Sequence, residues 1–405
     1  MTNSFISFAN QISRMGGTAF VVGGAVRDEL MGRIPHDHDI MVVGVTVEAF
    51  KQSFPSAKMT GNSFPVFRIK ISGEEVEVAF ARKERKIGSG HSGFEMIFDT
   101  SVSFEDDMVR RDTTMNALAR EILTGEIIDI FGGTKDINNR VIRAVSEHFI
   151  EDAVRVLRVA RQAAQFDFSV DTDTINLMRS CRDELSVEPK ERIFGEMQKA
   201  LATEKPSTFF RVLKECDCLS VAFPEIAALV GQTQPEQWHP EGDAFEHSMI
   251  VLDKVSETTD DVTVRFAALF HDIGKGLTPK SMLPKHHGHD KAGTDVINNL
   301  PSCFGRRNKE FASFISEIHM KVHVMKKCGA IRDILHTMHR RGFTTEMVNP
   351  ILCADYGSHP SWMNDAVISQ VFAKVVIPSD MPKERIANFV RGEQISRVRA
   401  AIANN

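Results

Sequence analysis

The sequence contains no run of about 20 consecutive apolar residues, the length that an α-helix needs to cross a bilayer. Its N-terminus has no basic stretch followed by an uninterrupted apolar segment, so we expect neither a membrane role nor export. The six cysteines are scattered along 405 residues, and none has zinc-binding spacing. This cysteine usage predicts reduced, buried thiols and a cytoplasmic protein.

An excess of positive charge is also missing. The chain has 49 Lys and Arg against 54 Asp and Glu, a formal charge of −5, which excludes a protein that coats nucleic acid through bulk charge. Any contact with nucleic acid must therefore use local basic patches. With 42% hydrophobic residues, the chain is long enough for two or three globular domains, each with its own core.

The pattern of apolar residues changes along the chain. Residues 5–15 have helical spacing, and residues 18–22 and 40–43 are predicted to be buried strands. The alternation over 64–80 predicts a further pair of strands. The segment from about 18 to 130 is therefore expected to be α/β, and the period of 3.6 from about 147 onward predicts an all-helical second half. The polar segment 231–243, rich in Pro and Gly, is the best candidate boundary.

The first group of candidate functional residues follows the first strand. Gly23, Gly24, Arg27 and Asp28 open a helix, where free backbone amides and a guanidinium favour a polyphosphate. Such a glycine pair is often only a tight turn.

The pair Asp37-x-Asp39 follows this glycine pair. Two carboxylates at this spacing point to the same face of a strand and can bind hard divalent cations, with Glu77 as a third ligand. This set suits a two-metal displacement at a phosphate. The alternative is that both aspartates are solvated turn residues.

Several motifs, in order and at matching spacing from about residue 18 to 360, closely resemble the bacterial tRNA nucleotidyltransferases. These are the CCA-adding enzymes of the class that includes bacterial poly(A) polymerases. The motifs are Gly23-Gly-Ala-Val-Arg-Asp-x-Leu-x-Gly32, Asp37-x-Asp39, Arg82-Lys-Glu-Arg-Lys86, Gly88-Ser-Gly-x-x-Gly-Phe94, Arg110-Arg-Asp-x-Thr-x-Asn-Ala117 and Glu151-Asp-x-x-Arg-x-Leu-Arg158.

The resemblance implies a fold and a set of roles. The expected fold is an α/β, polymerase-beta-like nucleotidyltransferase head, followed by an all-α neck and body and an all-α HD domain. Asp37 and Asp39 are expected to bind Mg²⁺, with Glu77 as a further catalytic carboxylate. The residues expected to bind the triphosphate, ribose and phosphates of the nucleotide are Gly23, Gly24, Arg27, Asp28, Arg111, Asp112 and Asn116.

Two neighbouring regions are interpreted more locally. Asp112 and Asn116 are expected to share a helical face with Arg111 through their i,i+4 spacing, although a surface Arg-Arg pair is the ordinary alternative. Arg82–Arg85, with Gly88, Gly90 and Gly93, is interpreted as a mobile basic loop or simply a solvated one.

Polar residues step by three through an apolar helix from Glu151 to Arg161, a pattern usually explained by internal salt bridges. The resemblance implies that Asp152 and Arg155 read the base of the incoming nucleotide, with Arg158 also in the nucleotide site. Cytosine and adenine both present an amine beside a ring nitrogen, which suits a carboxylate beside a guanidinium, whereas uracil and guanine place a carbonyl there. Arg192 and Glu196 are expected to support this face.

A second group lies further on, where His271 and Asp272 stand inside an apolar helix and need a partner or a metal. Candidate partners are His247, His286, His287, His289, His319 and Asp355. A hydrogen-bonded core histidine is the alternative, but the order His, His-Asp, His, His, Asp is that of HD-type phosphohydrolases. The surrounding motifs are Trp238-His-Pro-Glu241, Phe270-His-Asp-Ile-Gly-Lys-Gly-Leu-Thr-Pro279 and His286-His-Gly-His289.

This region is similar to the C-terminal domain of enterobacterial CCA-adding enzymes, which implies a metal-dependent phosphatase and 2′,3′-cyclic phosphodiesterase. The resemblance implies that a divalent transition metal such as Ni²⁺ is bound by His247, His271, Asp272, His289, His319 and Asp355. One departure is Met320, because the relatives have an aspartate after the later histidine. We therefore expect weakened hydrolysis that Met320→Asp raises.

The predicted domains are a head over 1–140, a neck and body over 141–232, an HD domain over 240–360 and a helical tail over 361–405. The predicted partners are tRNA, CTP and ATP, and the chain is expected to be a monomer or homodimer. We expect tRNA to bind the helical half through groups such as Arg161, Arg192 and Lys199. Alternatives are a poly(A) polymerase, an HD phosphohydrolase whose first half only binds nucleotide, and a non-enzymatic RNA-binding protein.

Overall fold

A computed structural model describes residues 2–35, 37–60, 65–86 and 94–403. The chain forms two compact units. The first runs to Glu196 and includes Thr208–Ala222, and the second comprises Met197–Ser207 and the chain from Phe223 onward. The polar segment 231–243 therefore lies within the second unit. In the described part of the chain, no helix is both long and apolar enough to cross a membrane.

The first unit contains a mixed seven-stranded sheet of order β3-β4-β5-β2-β1-β8-β9 and a separate β6-β7 hairpin. Strands β2 and β5 are parallel, whereas the other neighbours in both sheets are antiparallel. The strands are β1 Thr18–Val22, β2 Asp39–Val43, β3 Lys58–Met59, β4 Val66–Ile71, β5 Glu74–Phe80, β6 Lys83–Lys86, β7 Phe94–Ile97, β8 Ala119–Glu121 and β9 Ile127–Ile128.

Alternation in β4 and β5 buries one face of each strand, so Phe67 and Phe80 pack against Phe50 from the adjacent helix. The opposite face of β5 carries Glu77, which pairs directly with Asp39 at the start of β2. The same alternation that builds the core thus places two carboxylates side by side on the open face.

Helices precede, interrupt and follow the strands of the sheet. They are α1 Asn3–Arg14, α2 Gly24–Leu30, α3 Val47–Ser53, α4 Phe104–Met108, α5 Gly133–Asn139, α6 Val154–Phe166, α7 Thr172–Ser180, α8 Arg182–Ser186, α9 Lys190–Leu201, α10 Ser207–Glu215, α11 Leu219–Ala222 and α12 Pro224–Ala227. Two short strands, β10 Val141–Ile142 and β11 Ser169–Val170, pair in parallel, so the predicted all-helical half is not wholly helical.

The second unit is built mainly on α13 Ala244–Ser256, α14 Val262–Phe270, α15 His289–Asn299, α16 Arg306–Ile318 and α18 Thr345–Tyr356. The remaining helices are α17 Cys328–Arg341, α19 Asp365–Phe372 and α20 Lys383–Ala403. The buried guanidinium of Arg265 on α14 donates to the carbonyls of Leu201, Thr203, Ser256 and Thr259, which ties α9 and α13 to this helix.

Three local expectations are wrong. Lys83–Lys86, expected within a mobile loop, forms β6 because it pairs with β7, while Gly88, Gly90 and Gly93 lie outside the described residues. Residues 109–113 are turns that lead into a short 3-10 helix at Thr114–Asn116, rather than an α-helix. Cys353 is exposed, so the thiols are not all buried.

Candidate functional sites

The first candidate site is a group of carboxylates on the open face of the sheet. Asp37 and Asp39 are both exposed, and Glu77 accepts hydrogen bonds from Arg68 at 2.9 and 3.0 Å across the strand pair. The surrounding protein and the charges of Asp37 and Glu77 raise the pKa of Asp39. Negative charge is therefore in excess here, and a divalent cation with oxygen ligands would relieve it.

The glycine pair lies, along the chain, between β1 and Arg27, whose side chain hydrogen bonds hold in place. Gly23 has a φ of +70°, and a Cβ there would lie 3.1 Å from Nη1 of Arg111, so the close approach favours glycine. Arg27 donates to Asp28 at 2.9 Å and to Oδ1 of Asn116 at 2.7 Å. Its guanidinium lies 4.5 Å from the Phe166 ring centroid, and burial lowers its pKa. This arginine is held in place before any phosphate arrives.

Asp112 is buried at the centre of the network behind Arg27. It accepts hydrogen bonds from the amide of Asn116 at 3.0 Å, from Nε of Arg158 at 2.7 Å and from Gln162 at 3.2 Å. Burial alone would raise the pKa of Asp112, but Arg158 and these hydrogen bonds outweigh it and hold the pKa far below the ordinary value. The expected proximity of Asp112 and Asn116 is present, although a turn rather than an α-helix produces it.

Arg111 is held on the other side of the network. It donates to Asp107 at 3.2 Å and to the carbonyl of Asn116 at 3.2 Å. Asp107 also accepts from Arg110 at 2.5 Å, so the two neighbouring arginines share one buried carboxylate.

The residues expected to choose the base lie at the start of α6. Arg155 is buried and donates to the carbonyl of His148. Asp152 is paired with Arg192, whose Nη2 lies 3.3 Å from both carboxylate oxygens. Arg192 also contacts Glu188 at 2.8 Å. The guanidinium beside Asp152 therefore belongs to Arg192 and not to Arg155.

Glu196, the other residue expected to support this face, pairs with Arg161 rather than with Arg192. Nε of Arg161 donates to Glu196 at 2.6 Å.

The second candidate site gathers all six predicted ligands of the second unit. The carboxylate of Asp272 lies 3.2 and 3.3 Å from Nε2 of His289 and His319, and 3.3 Å from Nε2 of His271. Nε2 of His247 lies 3.0 Å from Asp355 and 3.6 Å from Asp272. Asp272 therefore lies between two groups that could each bind a metal, His247 with His271 and Asp355, and His289 with His319.

Hydrogen bonds fix the histidine tautomers. Nδ1 of His271, His289 and His319 faces the carbonyl of Ala268, His286 or Ser316, at 2.7 to 2.9 Å. Since a carbonyl only accepts, Nδ1 carries the hydrogen and a neutral ring turns the lone pair of Nε2 inward.

Within the described part of the chain, these lone pairs have no suitable donor. Nε2 of His289 and His319 are 3.3 Å apart, and Nε2 of His271 and Oδ1 of Asp272 have no hydrogen-bond donor among the described residues. Buried acceptors facing one another are unfavourable unless a cation lies between them. The donor set therefore fits a divalent transition metal.

Charges in the cluster also favour a cation. Burial alone would lower the pKa of His271, but the carboxylates of Asp272 and Asp355 raise it to about 10. Burial opposes ionisation of Asp272, yet Lys275, with Nζ at 2.5 Å, and the histidines hold its pKa well below the ordinary value. A metal ion would take the place of the protons that the cluster otherwise attracts.

The structure adds residues that the sequence reasoning did not assign. Glu241 accepts from Nδ1 of His247 at 2.6 Å, and Lys275 donates to Gln234 at 2.5 Å. Glu241 is the last residue of the Trp238-His-Pro-Glu motif, and Lys275 follows the His-Asp pair. Their positions in or beside these motifs could have identified them as site residues. His286 instead contacts Thr278 at 2.8 Å and is not in the cluster.

Met320 does not bear on the cluster. Its side chain is 54% exposed, whereas that of the adjacent His319 is buried. This exposure argues against a carboxylate at this position assisting the metal, and the expectation stays a prediction that Met320→Asp tests.

The chain matches three families. Residues 19–143 match the Poly A polymerase head domain, residues 167–229 match a probable RNA and SrmB-binding site of polymerase A, and residues 244–342 match the HD domain. The class is therefore a nucleotidyltransferase that carries an RNA-binding region and a metal-dependent HD domain.

A relative in sequence narrows the class. The Multifunctional CCA protein of Vibrio parahaemolyticus serotype O3:K6 (strain RIMD 2210633) is 43% identical over 311 residues, which are 75% of each chain. The chain belongs to the family of the multifunctional CCA proteins and is a tRNA nucleotidyltransferase.

Solved structures share the fold. The CCA-adding enzyme of Bacillus stearothermophilus in complex with CTP has a TM-score of 0.66 at 22% identity, covering 100% of this chain and 94% of that one. A tRNA nucleotidyltransferase complexed with a primer tRNA and an incoming ATP analogue has a TM-score of 0.57 at 22% identity, covering 87% and 94%. The predicted fold class is confirmed.

Proposed function

We propose that the chain adds C, C and A to tRNA 3′ ends from CTP and ATP. This proposal rests on the strand register that places Asp39 beside Glu77. Gly23 and the guanidinium of Arg27, which hydrogen bonds hold in place, lie in the same unit. Solved structures with the same fold were determined with CTP and with a primer tRNA and an ATP analogue, which supports these partners.

The reaction joins the 3′-oxygen of the tRNA to the α-phosphorus of the nucleotide and releases pyrophosphate. Asp37 and Asp39, with Glu77, would hold Mg²⁺, which when bound lowers the pKa of the attacking hydroxyl and neutralises the pyrophosphate. Arg27, Asp28 and Arg111 would orient the triphosphate beside Gly23 and Gly24. Asp112 and Asn116 act mainly by holding Arg27 and Arg158, because their own polar atoms already have protein partners.

For the choice of base, we propose Asp152 and Arg155 as the residues that face the Watson–Crick edge. Asp152 keeps an accessible carboxylate, and Arg192 beside it neutralises that carboxylate until an amine of cytosine or adenine takes the bond. Uracil and guanine would bring a carbonyl to the same oxygen atoms, and the unpaired polar groups would disfavour them strongly.

A second activity is proposed for the second unit, namely metal-dependent hydrolysis of 2′,3′-cyclic phosphates and phosphomonoesters. The observation that favours it is the set of inward-facing Nε2 atoms around Asp272, which lack donors among the described residues. A transition metal such as Ni²⁺, held by the six ligands, would supply an activated water. That water adds its oxygen to phosphorus, one ester P–O bond breaks, and the released ribose oxygen takes a proton.

We also propose the domain limits of the sequence prediction: a head over 1–140, a neck and body over 141–232, an HD domain over 240–360 and a tail over 361–405. Limited proteolysis followed by mass determination would test them. Either a monomer or a homodimer is compatible with this arrangement, and the molar mass in solution would decide between them.

One assay tests the first activity. A tRNA transcript lacking CCA is incubated with each single nucleotide and with pairs, and the products are sized. We expect two additions with CTP alone and three with CTP and ATP. A ladder with ATP alone would instead indicate a poly(A) polymerase, and no extension would contradict nucleotidyl transfer by this chain.

A further inference from the structure

Exposed aromatic side chains flank the histidine–aspartate cluster. The chain has only two tryptophans and one tyrosine. Trp362 is buried, but Trp238 is 73% exposed and Tyr356 is 62% exposed. Such large rings in water need an explanation when both lie next to residues of one site.

The exposures of the site residues show where the cluster opens. His271, Asp272 and His319 are buried, whereas the side chains of Asp355 and His239 are 11% and 22% exposed. The His239 ring meets the His247 ring edge-on at 4.6 Å, so it lies at the edge of the cluster. Glu241 and His289 at the edge of the cluster are also 15% and 11% exposed, and two of these partly exposed residues, His239 and Asp355, directly adjoin Trp238 and Tyr356 in the chain.

Tyr356 is already arranged as a platform. Its ring stacks on His323 with a centroid distance of 3.9 Å and an interplanar angle of 17°. Since His323 covers one face of the ring and the side chain is still largely exposed, another flat ring can stack on it.

Trp238 lies on a loop that is anchored to the cluster at both ends. Gln234 receives a hydrogen bond from Lys275, which contacts Asp272, and Glu241 binds His247. The backbone amide of Trp238 donates to the carbonyl of Pro235 at 3.0 Å, which makes a tight turn at the crest of this loop. The backbone that carries the exposed indole is thus held between two residues that contact the cluster.

We infer that Trp238 and Tyr356 bind nucleobases, so that the hydrolytic site binds the 3′ end of single-stranded RNA more tightly than it binds small phosphoesters without a base. This inference rests on the proposed hydrolytic function. Flat amphipathic rings stack on any base, and each such contact is typically worth about 1–3 kcal/mol. The metal cluster would hold the terminal phosphate while the two rings hold the last bases.

The kinetic test compares two substrates in the full-length, metal-loaded chain. One is an oligoribonucleotide ending in a 2′,3′-cyclic phosphate, and the other is glycerol 2-phosphate, which lacks a base. For Tyr356→Leu and Trp238→Leu we expect KM for the oligonucleotide to rise about tenfold, with kcat within about twofold. Glycerol 2-phosphate should be hydrolysed as by the unaltered chain, and Tyr356→Phe should restore most of the affinity.

Val376→Ala serves as a control, because Val376 is also strongly exposed in the second unit. In this variant, KM and kcat for both substrates should be unchanged. If the Tyr356→Leu and Trp238→Leu variants lose activity equally on both substrates, the two rings have only a structural role. An unchanged KM for the oligonucleotide would overturn the inference.

A binding test separates this inference from the proposed activity. Both tryptophans emit when they are excited selectively, but Trp238 is exposed and Trp362 is buried, so a base that stacks at the surface changes mainly the emission of Trp238. We expect adenosine 2′-phosphate to quench this emission in the unaltered chain, and a residual, much smaller change in Trp238→Phe. If neither substrate is hydrolysed but quenching occurs, the hydrolytic proposal fails and the platform stands. Absence of quenching overturns the platform itself.

Discussion

The two metal-dependent sites of this chain are built in opposite ways. In the first unit, carboxylates stand exposed on the open face of a sheet, and one of them, Glu77, is partly neutralised by Arg68. In the second unit, Asp272, His271 and His319 are buried, and hydrogen bonds orient the two rings. An open site must receive further ligands from its substrate, whereas an enclosed one holds most of its ligands beforehand.

The substrates proposed for the two sites account for this difference. A nucleoside triphosphate and a tRNA end bring their own phosphate and hydroxyl oxygens, so a few carboxylates suffice. Hydrolysis of a single phosphate requires the protein to fix both the ion and the water. We therefore expect metal to bind the first site appreciably only with nucleotide, and the second site without any substrate.

The largest effect is expected for a change at Asp39, which should affect the first site and not the second. Asp39→Ala removes a proposed metal ligand while leaving the core intact, so nucleotide addition should fall at least about a thousandfold. Hydrolysis by the second unit should be unchanged. Single-turnover addition to a tRNA lacking CCA measures the effect, with Glu48→Ala as the control for loss of an exposed carboxylate. Addition within about tenfold of the unaltered chain would rule out the two-metal assignment.

The reciprocal change is Asp272→Asn, which removes the charge between the two histidine groups. We expect hydrolysis to fall at least about a hundredfold and bound metal to fall with it, because buried lone pairs alone bind a cation weakly. Nucleotide addition should remain within about twofold. Elemental analysis and both assays on one preparation give the result, and full metal content in the variant would contradict the assignment.

A smaller effect is expected on the choice of nucleotide by the first unit. Replacing Asp152 and Arg155 together by Ala should let UTP or GTP be incorporated, narrowing the preference for CTP and ATP by about one to two orders of magnitude. Arg192→Ala, which frees Asp152 from its ion pair, should alter rates but retain the preference. If the double variant keeps the preference for CTP and ATP, Asp152 and Arg155 form internal salt bridges and do not choose the base.

The buried network behind the open site gives a smaller, pH-dependent effect. Asp112 has a depressed pKa when folded, so its ionised form contributes stability above the unfolded pKa of about 4 and loses it as the pH falls. Asp112→Asn should therefore lower the free energy of unfolding by roughly 2 kcal/mol at neutral pH. Urea unfolding of both proteins from neutral pH down to about pH 3 tests this, since the difference should shrink at low pH.

How much the sequence could predict differs between the sites. Asp39 and Glu77 meet because β2 and β5 pair in parallel at this register. The alternation in β5 is visible in the sequence, whereas the pairing of β5 with β2 is not. The six ligands of the second cluster were identified through a known order of residues, since no local pattern tells how α13 and α18 bring His247 to Asp355. The strand at Lys83–Lys86 was missed because pairing with a partner overrides a polar, basic composition.

Side-chain direction is where sequence reasoning reached its limit. Arg155 was expected to stand beside Asp152, yet their guanidinium and carboxylate have different partners. The spacing places two residues on one face, but burial and nearby carbonyls decide where a long side chain ends. Glu241 and Lys275 were missed for the same reason, because each acts by contacting a ligand and not by its place in a ligand pattern.

The smallest expected effect concerns Met320, the neighbour of a ligand in sequence. His319 is buried and Met320 is exposed, since successive residues in a turn point to different sides. A carboxylate at Met320 would remain in water, where its charge is screened from the enclosed ion. Met320→Asp should therefore leave hydrolysis and metal content within about twofold of the unaltered chain. Raised hydrolysis would mean that the cluster is less enclosed than its geometry indicates, and would bring it closer to the open site of the first unit.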